Sequence, residues 1–572
     1  MSGDLLKDQA AKRQEYLQEI LDSPSKRKLI VAGPGTGKTF TFGRVIEKAE
    51  GGEHLALTFI RKLVSDMQAE LQDLAEAKTF HAYCKKLLHE KYGGVLLFPF
   101  LTQVVEEDAK LLSLRLSEFT HAFQTLDEQA DEIDFYIRRG DYYRAVSFDD
   151  SVYRVLKEVQ RDGGFLPQYG QIVIDEFQDF NPLEVAFINE LEQRGSILIV
   201  GDDDQAVYRL RNSSPDHLRE KFASGEYDSF ELPYCTRCPR VIVESTAQFI
   251  SGIMAAGAFQ GRIERPFVPY LEDKEYENER YPKIIAATTS NIACLAKLVR
   301  MAIEKVPAED IADAYEKSYP CVLIVGLRQY LNPLAKELKK RFSNVAFRQS
   351  ESRPYSMADA YELLLVDEGS NLGWRLLAAI ELPRRALKGA VKASRDLTPF
   401  VKLLPDDFVK SHRAIIKILQ SSELDDSERQ KLGDLLGDQA ALIADQFFPP
   451  KEEDAAEVDE SQPSILLSSF EGCKGLSAGH VFVVGFNDGT MPRIDKSNEI
   501  DDIEISKFIV AMTRTRKLLY LLSNRWDYAP KGDAFSESTF IGFMPQEGLF
   551  SAGYVKSDDV GAFIESVWSN LI

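Results

Sequence analysis

Long apolar segments are missing from this sequence. Its longest apolar run, GGVLLFPFL at residues 93–101, is far shorter than the roughly 20 residues that a membrane-spanning helix needs. The N-terminal residues MSGDLLKDQAAKRQ are polar and lack the apolar core of a signal peptide. Both absences argue against a membrane-embedded or secreted protein, and we expect a cytoplasmic one.

Cysteine is also scarce, with six residues scattered over 572 positions. This distribution does not suggest a disulfide framework and agrees with a reducing compartment. Only Cys235 and Cys238 have the spacing of metal ligands. No second pair follows nearby in the sequence, which argues against a zinc site.

Positive charge is outweighed by negative charge, and the formal net charge is -21. The molecule as a whole would therefore repel nucleic acid, so any nucleic-acid binding requires a locally basic groove. The chain is otherwise of ordinary globular composition, with 44% hydrophobic residues, and its length predicts several domains.

A glycine-rich loop follows an apolar run near the N-terminus. Residues 29–32 (LIVA) predict a buried parallel strand, and Lys38-Thr39 opens a predicted helix after the turn at residues 33–37. In such a P-loop, backbone N–H groups close around nucleotide phosphates where a side chain would clash. Lys38 would reach the β- and γ-phosphates, and Thr39 would ligate Mg²⁺. A chance glycine-rich turn is the alternative, which the Gly-Lys-Thr sequence disfavours.

Two carboxylates end a later apolar strand predicted at residues 172–174. Asp175 would hold Mg²⁺ through water, and Glu176 would orient and deprotonate the attacking water. Gln178 and Gln205 could sense the γ-phosphate by hydrogen bonding. Strands that alternate with helices and end in polar residues predict a parallel sheet with its site at the carboxyl edge. A solvated strand end remains the alternative for Asp175-Glu176.

The pattern along the chain predicts two α/β lobes, each interrupted by a mostly helical insertion. The second insertion contains a basic run between Arg384 and Arg395 and closes with an acidic, proline-marked linker at residues 449–463. The predicted boundaries are 1–81 and 167–225 for the first lobe, 82–166 for its insertion, 226–350 and 462–572 for the second lobe, and 351–461 for the second insertion.

Seven ordered segments resemble the motifs of superfamily 1A helicases, the UvrD/Rep/PcrA group. They are residues 32–39 (motif I), 58–59 with 79–81 (motifs Ia and Ib), 175–179 (motif II), 201–211 (motif III), 237–239 (motif IV), 474–476 with 487–492 (motif V and its sequel) and 510–516 (motif VI). The form GDDDQ-x-x-Y of the motif III segment separates the chain from the RecD-like branch.

This resemblance implies an α/β fold with two RecA-like, parallel-sheet P-loop lobes, and ATP with Mg²⁺ between them. Arg237 and Arg514 would contact the γ-phosphate from the second lobe, where such arginines are typically worth ~10³–10⁵ in rate. The implied catalytic residues are Lys38, Asp175, Glu176, Gln205, Arg237 and Arg514. The implied nucleotide-binding residues are Gln14, Ala32, Gly33, Pro34, Gly35, Thr36, Gly37, Lys38, Thr39, Phe40, Gln178 and Gly475, with Thr39 and Asp175 at the metal.

The resemblance also implies single-stranded DNA as the partner, crossing both lobes while the protein moves 3′→5′. Bases would stack on Phe59 and Tyr208, and phosphates would be held by Lys62, Thr79 and His81. Tyr208 could instead serve as a structural switch between the lobes.

Some positions depart from the family pattern. Leu210 replaces the usual motif III tryptophan, and loss of a base–aromatic stack is worth roughly 1–3 kcal/mol. Phe40 and Thr236 stand where the family's arginine and tyrosine sandwich adenine, and Glu471 and Ser477 replace the histidine and glutamate of motif V. Phosphate chemistry is therefore better preserved than base or DNA recognition.

Two interpretations follow from these residues. The first is an ATP-dependent 3′→5′ DNA helicase or translocase, which the complete set of catalytic residues favours. The alternative is an ATP-gated regulatory subunit with little unwinding of its own, working with a protein such as a nuclease in DNA repair or anti-phage defence. The acidic net charge, Leu210 and the short second insertion favour this alternative. An unrelated P-loop NTPase, a third interpretation, conflicts with the motif III segment.

Overall fold

Two β-sheets built from parallel strand pairs form the framework of the protein, one of six strands and one of seven. The computed structural model describes residues 3–58, 64–65, 67–68, 71, 74–208, 211–272, 274–348, 354–449, 459–494, 500–527 and 533–571. The α/β class predicted from the sequence, with two parallel-sheet lobes and helical insertions, is confirmed. Within the described ranges, no helix is long and apolar enough to cross a membrane.

The first lobe and its insertion extend to the end of β8. In chain order their elements are α1 (Gly3–Asp22), β1 (Arg27–Ala32), α2 (Lys38–Lys48), β2 (His54–Thr58), β3 (Glu76–Thr79), α3 (Phe80–Tyr92), β4 (Leu96–Leu97), α4 (Leu101–Leu111), α5 (Phe119–Gln124), α6 (Asp131–Tyr143), β5 (Ala145–Val146), α7 (Phe148–Arg161), β6 (Gln171–Ile174), α8 (Pro182–Leu191), β7 (Ser196–Gly201), α9 (Asp216–Ala223) and β8 (Asp228–Leu232).

The six-stranded sheet has the order β3-β2-β6-β7-β1-β8. The central strands β1, β6 and β7 are almost wholly buried, as the continuous apolar runs in their sequences require. Because they are parallel, their carboxyl ends meet at one edge of the sheet. The P-loop, Asp175 and Asp202 follow these three strand ends.

The second lobe contains the remaining strands, and the second insertion lies between β13 and β14. The elements are β9 (Tyr234–Cys235), α10 (Arg240–Ala255), β10 (Val268–Pro269), α11 (Glu275–Arg280), β11 (Ile284–Asn291), α12 (Ile292–Ile303), α13 (Ala308–Glu316), β12 (Val322–Val325), α14 (Arg328–Leu338), β13 (Val345–Phe347), α15 (Met357–Val366), α16 (Asn371–Glu381), α17 (Arg384–Ala393), α18 (Asp406–Leu419), α19 (Asp426–Leu436), α20 (Ala440–Phe447), β14 (Ile465–Ser468), β15 (Ala478–Val484), α21 (Asp502–Met512), β16 (Thr515–Trp526), β17 (Leu549–Val555) and α22 (Val560–Leu571).

The seven-stranded sheet has the order β13-β14-β12-β15-β16-β11-β17. The apolar runs near residues 284, 321, 464 and 480 form β11, β12, β14 and β15. The predicted boundary at residue 226 falls too early, because β8 pairs with β1 and belongs to the first sheet. Its charged and half-exposed residues hide the apolar signal of an edge strand.

The two insertions share one buried apolar core with the helices of the first lobe. Asp108 on α4 lies at its centre, between Arg139 of the first insertion and Arg375 of the second. Arg139 Nε lies 2.9 Å from Asp108 Oδ2, and Arg375 Nε lies 2.9 Å from Asp108 Oδ1. All three side chains are buried, so the carboxylate has a counter-charge from each insertion.

Candidate nucleotide site and adjoining channel

The P-loop connects β1 to the first turn of α2. Gly35 and Gly37 have φ angles of 72° and 89°, in the left-handed region that glycine adopts without strain. Thr36 Oγ1 donates to Gly33 O at 2.9 Å and closes the turn. Lys38, Thr39 and Phe40 form the first turn of α2, so its free N–H groups face the same loop. Ala32 ends β1, and Pro34 lies buried between the first two loop glycines.

The segment that carries Arg237 packs directly against this loop. The backbone N–H and the hydroxyl of Thr236 both donate to Gly35 O, at 2.8 and 3.0 Å. A Cβ atom at Gly35 would lie 2.5 Å from the Cβ of Arg237, so only glycine permits the approach. Among the described residues, none forms a hydrogen bond or an ion pair with the Arg237 guanidinium. The sequence prediction placed Arg237 at the nucleotide, and the fold brings it to the P-loop.

Asp175 and Glu176 lie beside Lys38 at the end of β6. Lys38 Nζ is 3.7 Å from Glu176 Oε1. Burial and the neighbouring Glu176 charge raise the pKa of Asp175 to about 7. Burial also acts on Glu176, but the charges of Lys38 and Lys474 outweigh it and lower its pKa. Glu176 is therefore ionised at neutral pH, as a base must be.

Glu176 has a φ angle of 54°, in the left-handed region that costs a side-chain-bearing residue of order 1–3 kcal/mol. Gln178 supports this conformation, because its amide nitrogen donates to Glu176 Oε2 at 2.6 Å. The amide oxygen of Gln178 accepts from the Asp202 N–H at 2.9 Å. Gln178 thus links the ends of β6 and β7. Its two hydrogen bonds hold Glu176 in the strained conformation.

Oxygen ligands suited to Mg²⁺ are available at this edge of the sheet. The Thr39 hydroxyl group and the Asp175 carboxylate are hard donors of the kind that this cation prefers. A divalent cation would also favour the ionised form of Asp175, whose pKa is raised by burial. The donor set therefore fits the predicted metal.

Gln205 and Arg514 meet across the boundary between the lobes. Arg514 Nη2 donates to Gln205 Oε1 at 2.8 Å. From its own lobe, the guanidinium is fixed by the carbonyl oxygens of Val510 and Leu476, at 2.9 and 3.1 Å. Burial and the nearby Arg237 charge lower the pKa of Arg514 to about 10, so it stays charged at neutral pH.

Lys474 is a site residue that the sequence prediction missed, although it lies in the motif V segment. Its ammonium group is 1% exposed and enters the first lobe. It donates to Asp179 Oδ2 at 2.5 Å and to Gln205 O at 2.7 Å, and lies 3.5 Å from Glu176 Oε2. Gly475, which follows it, has a φ angle of 77° that suits glycine. No local sequence signal identifies these partners, because they come from the other lobe.

A cavity of about 340 Å³ adjoins the P-loop on the α1 side. Gln14 and Phe40, both predicted to bind nucleotide, line it. Tyr234 and Tyr270 also line the cavity and were missed; their ring centroids lie 6.3 Å apart in an edge-to-face arrangement. They offer aromatic faces close to the position of Thr236, which stands where the family has its tyrosine. The nearby sequence LPY at residues 232–234 was the available signal.

A larger cavity of about 1320 Å³, which we call the channel, runs along both lobes and the first insertion. Thr79, His81 and Tyr208, which the sequence analysis predicts to contact DNA, line this cavity. Each also has a partner within the protein: Thr79 Oγ1 accepts from Ala82 N at 3.2 Å, His81 Nε2 lies 3.4 Å from Glu184 Oε1, and Tyr208 donates to Glu471 O at 3.3 Å. Phe59 and Lys62 lie outside the described residues.

Five cations in the wall of this channel were not predicted. They are Lys78, Lys85, Arg211, Arg328 and Arg348. Only Asp149 and Glu471 contribute carboxylates to the described lining. Lys78 and Arg211 are paired with Glu76 and Glu184, which lie outside the lining. The channel therefore has a small excess of positive charge in a molecule of net charge -21, as nucleic-acid binding requires.

Comparisons with known proteins identify relatives of this chain. The family described as AAA domain matches residues 17–211. A probable DNA helicase II homolog of Mycoplasma genitalium is 22% identical over 86% of this chain and 82% of its own length. ATP-dependent DNA helicase UvrD1 of Mycobacterium tuberculosis is 23% identical over 91% and 83%, and ATP-dependent DNA helicase PcrA of Staphylococcus epidermidis is 21% identical over 86% and 80%.

Proposed function

Because this chain is a UvrD/Rep/PcrA-like superfamily 1 protein, we propose that it is an ATP-dependent DNA helicase or translocase that hydrolyses ATP between its two lobes. It moves 3′→5′ along single-stranded DNA held in the basic channel. The activity is supported by relatives that are named DNA helicases and that match this chain along most of their own length. We propose that it divides into two lobes and two insertions at the predicted boundaries, with the first lobe extended through β8 because β8 pairs with β1.

The observation that carries the proposal is the pair of second-lobe arginines at the lobe boundary, Arg237 against the P-loop and Arg514 against Gln205. Burial and the nearby Arg237 charge lower the pKa of Arg514, because the two guanidinium groups repel one another in a desolvated site. A phosphate between them would remove this repulsion, as arginines do in phosphoryl transfer. Such an arrangement makes binding of ATP and closure of the lobes mutually favourable.

Each residue of the cleft has a role in this reaction. Lys38 and the P-loop N–H groups bind the phosphates, and Glu176 takes the proton of the attacking water. Gln205 and Gln178 orient the water and Glu176, and Arg514 and Arg237 stabilise charge on the transferred phosphoryl group. Mg²⁺ held by Thr39 and Asp175 would supply further charge neutralisation. Gln14, Phe40 and the two tyrosines would bind the base.

Two basic surfaces support DNA as the substrate. One is the channel. The other is formed by α17 and the turn that follows it. Four exposed cations lie there at spacings of four, four and three residues: Arg384, Lys388 and Lys392 on the helix and Arg395 in the turn. Because phosphates dominate the affinity of proteins for DNA, we expect binding that weakens steeply with salt.

The experiment that tests the proposal is the rate of ATP hydrolysis with and without single-stranded DNA. We expect strong DNA stimulation that is lost in Lys38→Ala. Lys48→Ala is the matched control, because it removes an exposed lysine from the opposite end of the same helix. An ATPase that DNA does not stimulate would overturn the proposal.

Duplexes with a 3′ or a 5′ single-stranded tail then test polarity. Displacement from the 3′-tailed duplex alone is expected for 3′→5′ movement. DNA-stimulated hydrolysis without displacement of either duplex would favour the ATP-gated regulatory subunit, whose partner protein would then be sought.

A further inference from the structure

An unusual concentration of buried charge lies directly behind the cleft. Asp202, Asp203 and Asp204 follow β7, and all three are 5% exposed or less. Oxygen atoms of the three carboxylates lie within 4.8 Å of one another. Three buried negative charges at this spacing require counter-charges that are fixed in place.

Arg265 supplies a counter-charge to all three carboxylates. Its guanidinium group pairs with Asp202 Oδ1, with Asp203 Oδ1 at 2.6 Å and with Asp204 Oδ2 at 2.8 Å. Arg262 pairs only with Asp204, and Arg219 pairs with Asp203 in this cluster. In the part of the chain that the structure describes, Arg265 is therefore the one cation paired with Asp202.

Asp202 in turn holds the side chain of Gln205. Its second oxygen, Oδ2, accepts a hydrogen bond from Gln205 Nε2 at 2.5 Å. This bond directs the amide nitrogen away from the second lobe and leaves Gln205 Oε1 for Arg514 Nη2. If the amide rotated by half a turn, its NH₂ group would face a guanidinium that only donates.

Arg265 lies in the loop that leaves α10, and α10 packs in the core of the second lobe. The chain of contacts Arg265–Asp202–Gln205–Arg514 therefore begins and ends at elements associated with the second lobe and passes through the first. We infer that Arg265 is a positioning residue for ATP hydrolysis: it fixes Asp202, which orients the Gln205 amide toward Arg514. This inference rests on the proposed ATPase cleft and adds a residue that no helicase motif contains.

A double-mutant cycle tests the inference. Arg265→Lys keeps the charge but cannot pair with three carboxylates at once. We expect it to lower kcat for ATP by roughly tenfold or more, as small misplacements of reacting groups do, with nucleotide affinity nearly unchanged. In a Gln205→Ala background the same substitution should change kcat by less than about twofold, because Arg265 acts through Gln205. Arg262→Lys is the matched control and should leave kcat near that of the wild type.

A purely structural role gives a different result. Arg265→Lys would then lower kcat by the same factor whether position 205 holds Gln or Ala, and this result would overturn the inference. An unchanged kcat in the Arg265→Lys single variant would overturn it as well. If the Arg265→Lys protein does not melt cooperatively, the cycle is repeated with Asp202→Asn, which keeps the shape of the side chain. The same changes in kcat are expected for Asp202→Asn. The cycle is measured on Lys38-dependent hydrolysis without DNA as well, so absence of DNA stimulation counts against the proposed translocase alone.

Discussion

Replacing Arg514 with alanine removes one of the contacts that join the two sides of the cleft. Its guanidinium is fixed by two carbonyl oxygens of its own lobe and reaches Gln205 at 2.8 Å. Since its pKa of about 10 keeps it charged at neutral pH, the substitution removes a full positive charge. The charge is lost where the phosphoryl group would develop its own negative charge during transfer.

The expected loss is large. An arginine that enters a phosphoryl-transfer site from a second domain contributes ~10³–10⁵ to the rate, which corresponds to about 4–7 kcal/mol at 1.36 kcal/mol per decade. We therefore expect kcat of Arg514→Ala to fall by at least ~10³. Affinity for nucleotide should change much less, because the contact strengthens in the transition state.

The assay is steady-state ATP hydrolysis at saturating single-stranded DNA, together with binding of a fluorescent ATP analogue. Arg516→Ala is the matched control: Arg516 donates to Ser477 at 2.9 Å, and its guanidinium carbon lies 4.6 Å from the centre of the Tyr319 ring, both within the second lobe. Arg514→Ala leaves Gln205 Oε1 without the guanidinium donor. The melting temperature of the Arg514→Ala protein is therefore compared with that of the Arg516→Ala control. A folded Arg514→Ala protein with kcat within tenfold of the wild type would refute the two-lobe cleft.

Three further predictions concern single side chains. Glu176→Gln should bind ATP normally and lose turnover, and persisting hydrolysis in a purified, nuclease-free preparation would remove Glu176 as the base. Tyr208→Ala should reduce DNA stimulation more than basal hydrolysis, whereas Tyr208→Phe, which loses only the bond to Glu471 O, should keep both; equal effects of the two would exclude a role for the ring. Despite burial, bonds from His480 and Lys517 lower the pKa of Asp310 to about 2, so Asp310→Asn should cost up to about 2 kcal/mol of unfolding free energy at pH 7. Because the folded pKa is depressed, this difference should shrink as the pH falls from about 4 toward 2, and melting curves that stay equally separated would contradict the ion pairs.

Local sequence patterns were sufficient to place the residues predicted to bind phosphate. The P-loop, Asp175 and Glu176 follow strands whose apolar runs are continuous, and strand direction then places their ends at one edge. The motif order added Gln205, Arg237 and Arg514, and the fold brings all six near the lobe boundary. The position of the P-loop, Asp175 and Glu176 could be predicted because it depends on a few neighbouring residues, while the roles of all six stay predictions.

The remaining features depend on packing between distant segments. Lys474 pairs with Asp179, which precedes it by 295 positions. The lysine in isolation would be interpreted as a solvated charge. Tyr234 and Tyr270 join one cavity through the short pairing of β9 with β10, and two-residue strands have no recognisable period. The edge strand β8 was missed for the same lack of an apolar signal.

The core that the two insertions share has a consequence for cooperative unfolding. By sequence the second insertion belongs to the second lobe, but Arg375 and its apolar neighbours are buried against the first insertion. Separating the two would leave Arg375 without Asp108, although Asp108 would keep Arg139. Breaking a buried pair typically costs 3–5 kcal/mol. The two insertions, although distant in sequence, are therefore expected to unfold together as one cooperative unit. A fragment cut to residues 351–461 would expose an apolar face and an unpaired arginine, and it would not be stable alone.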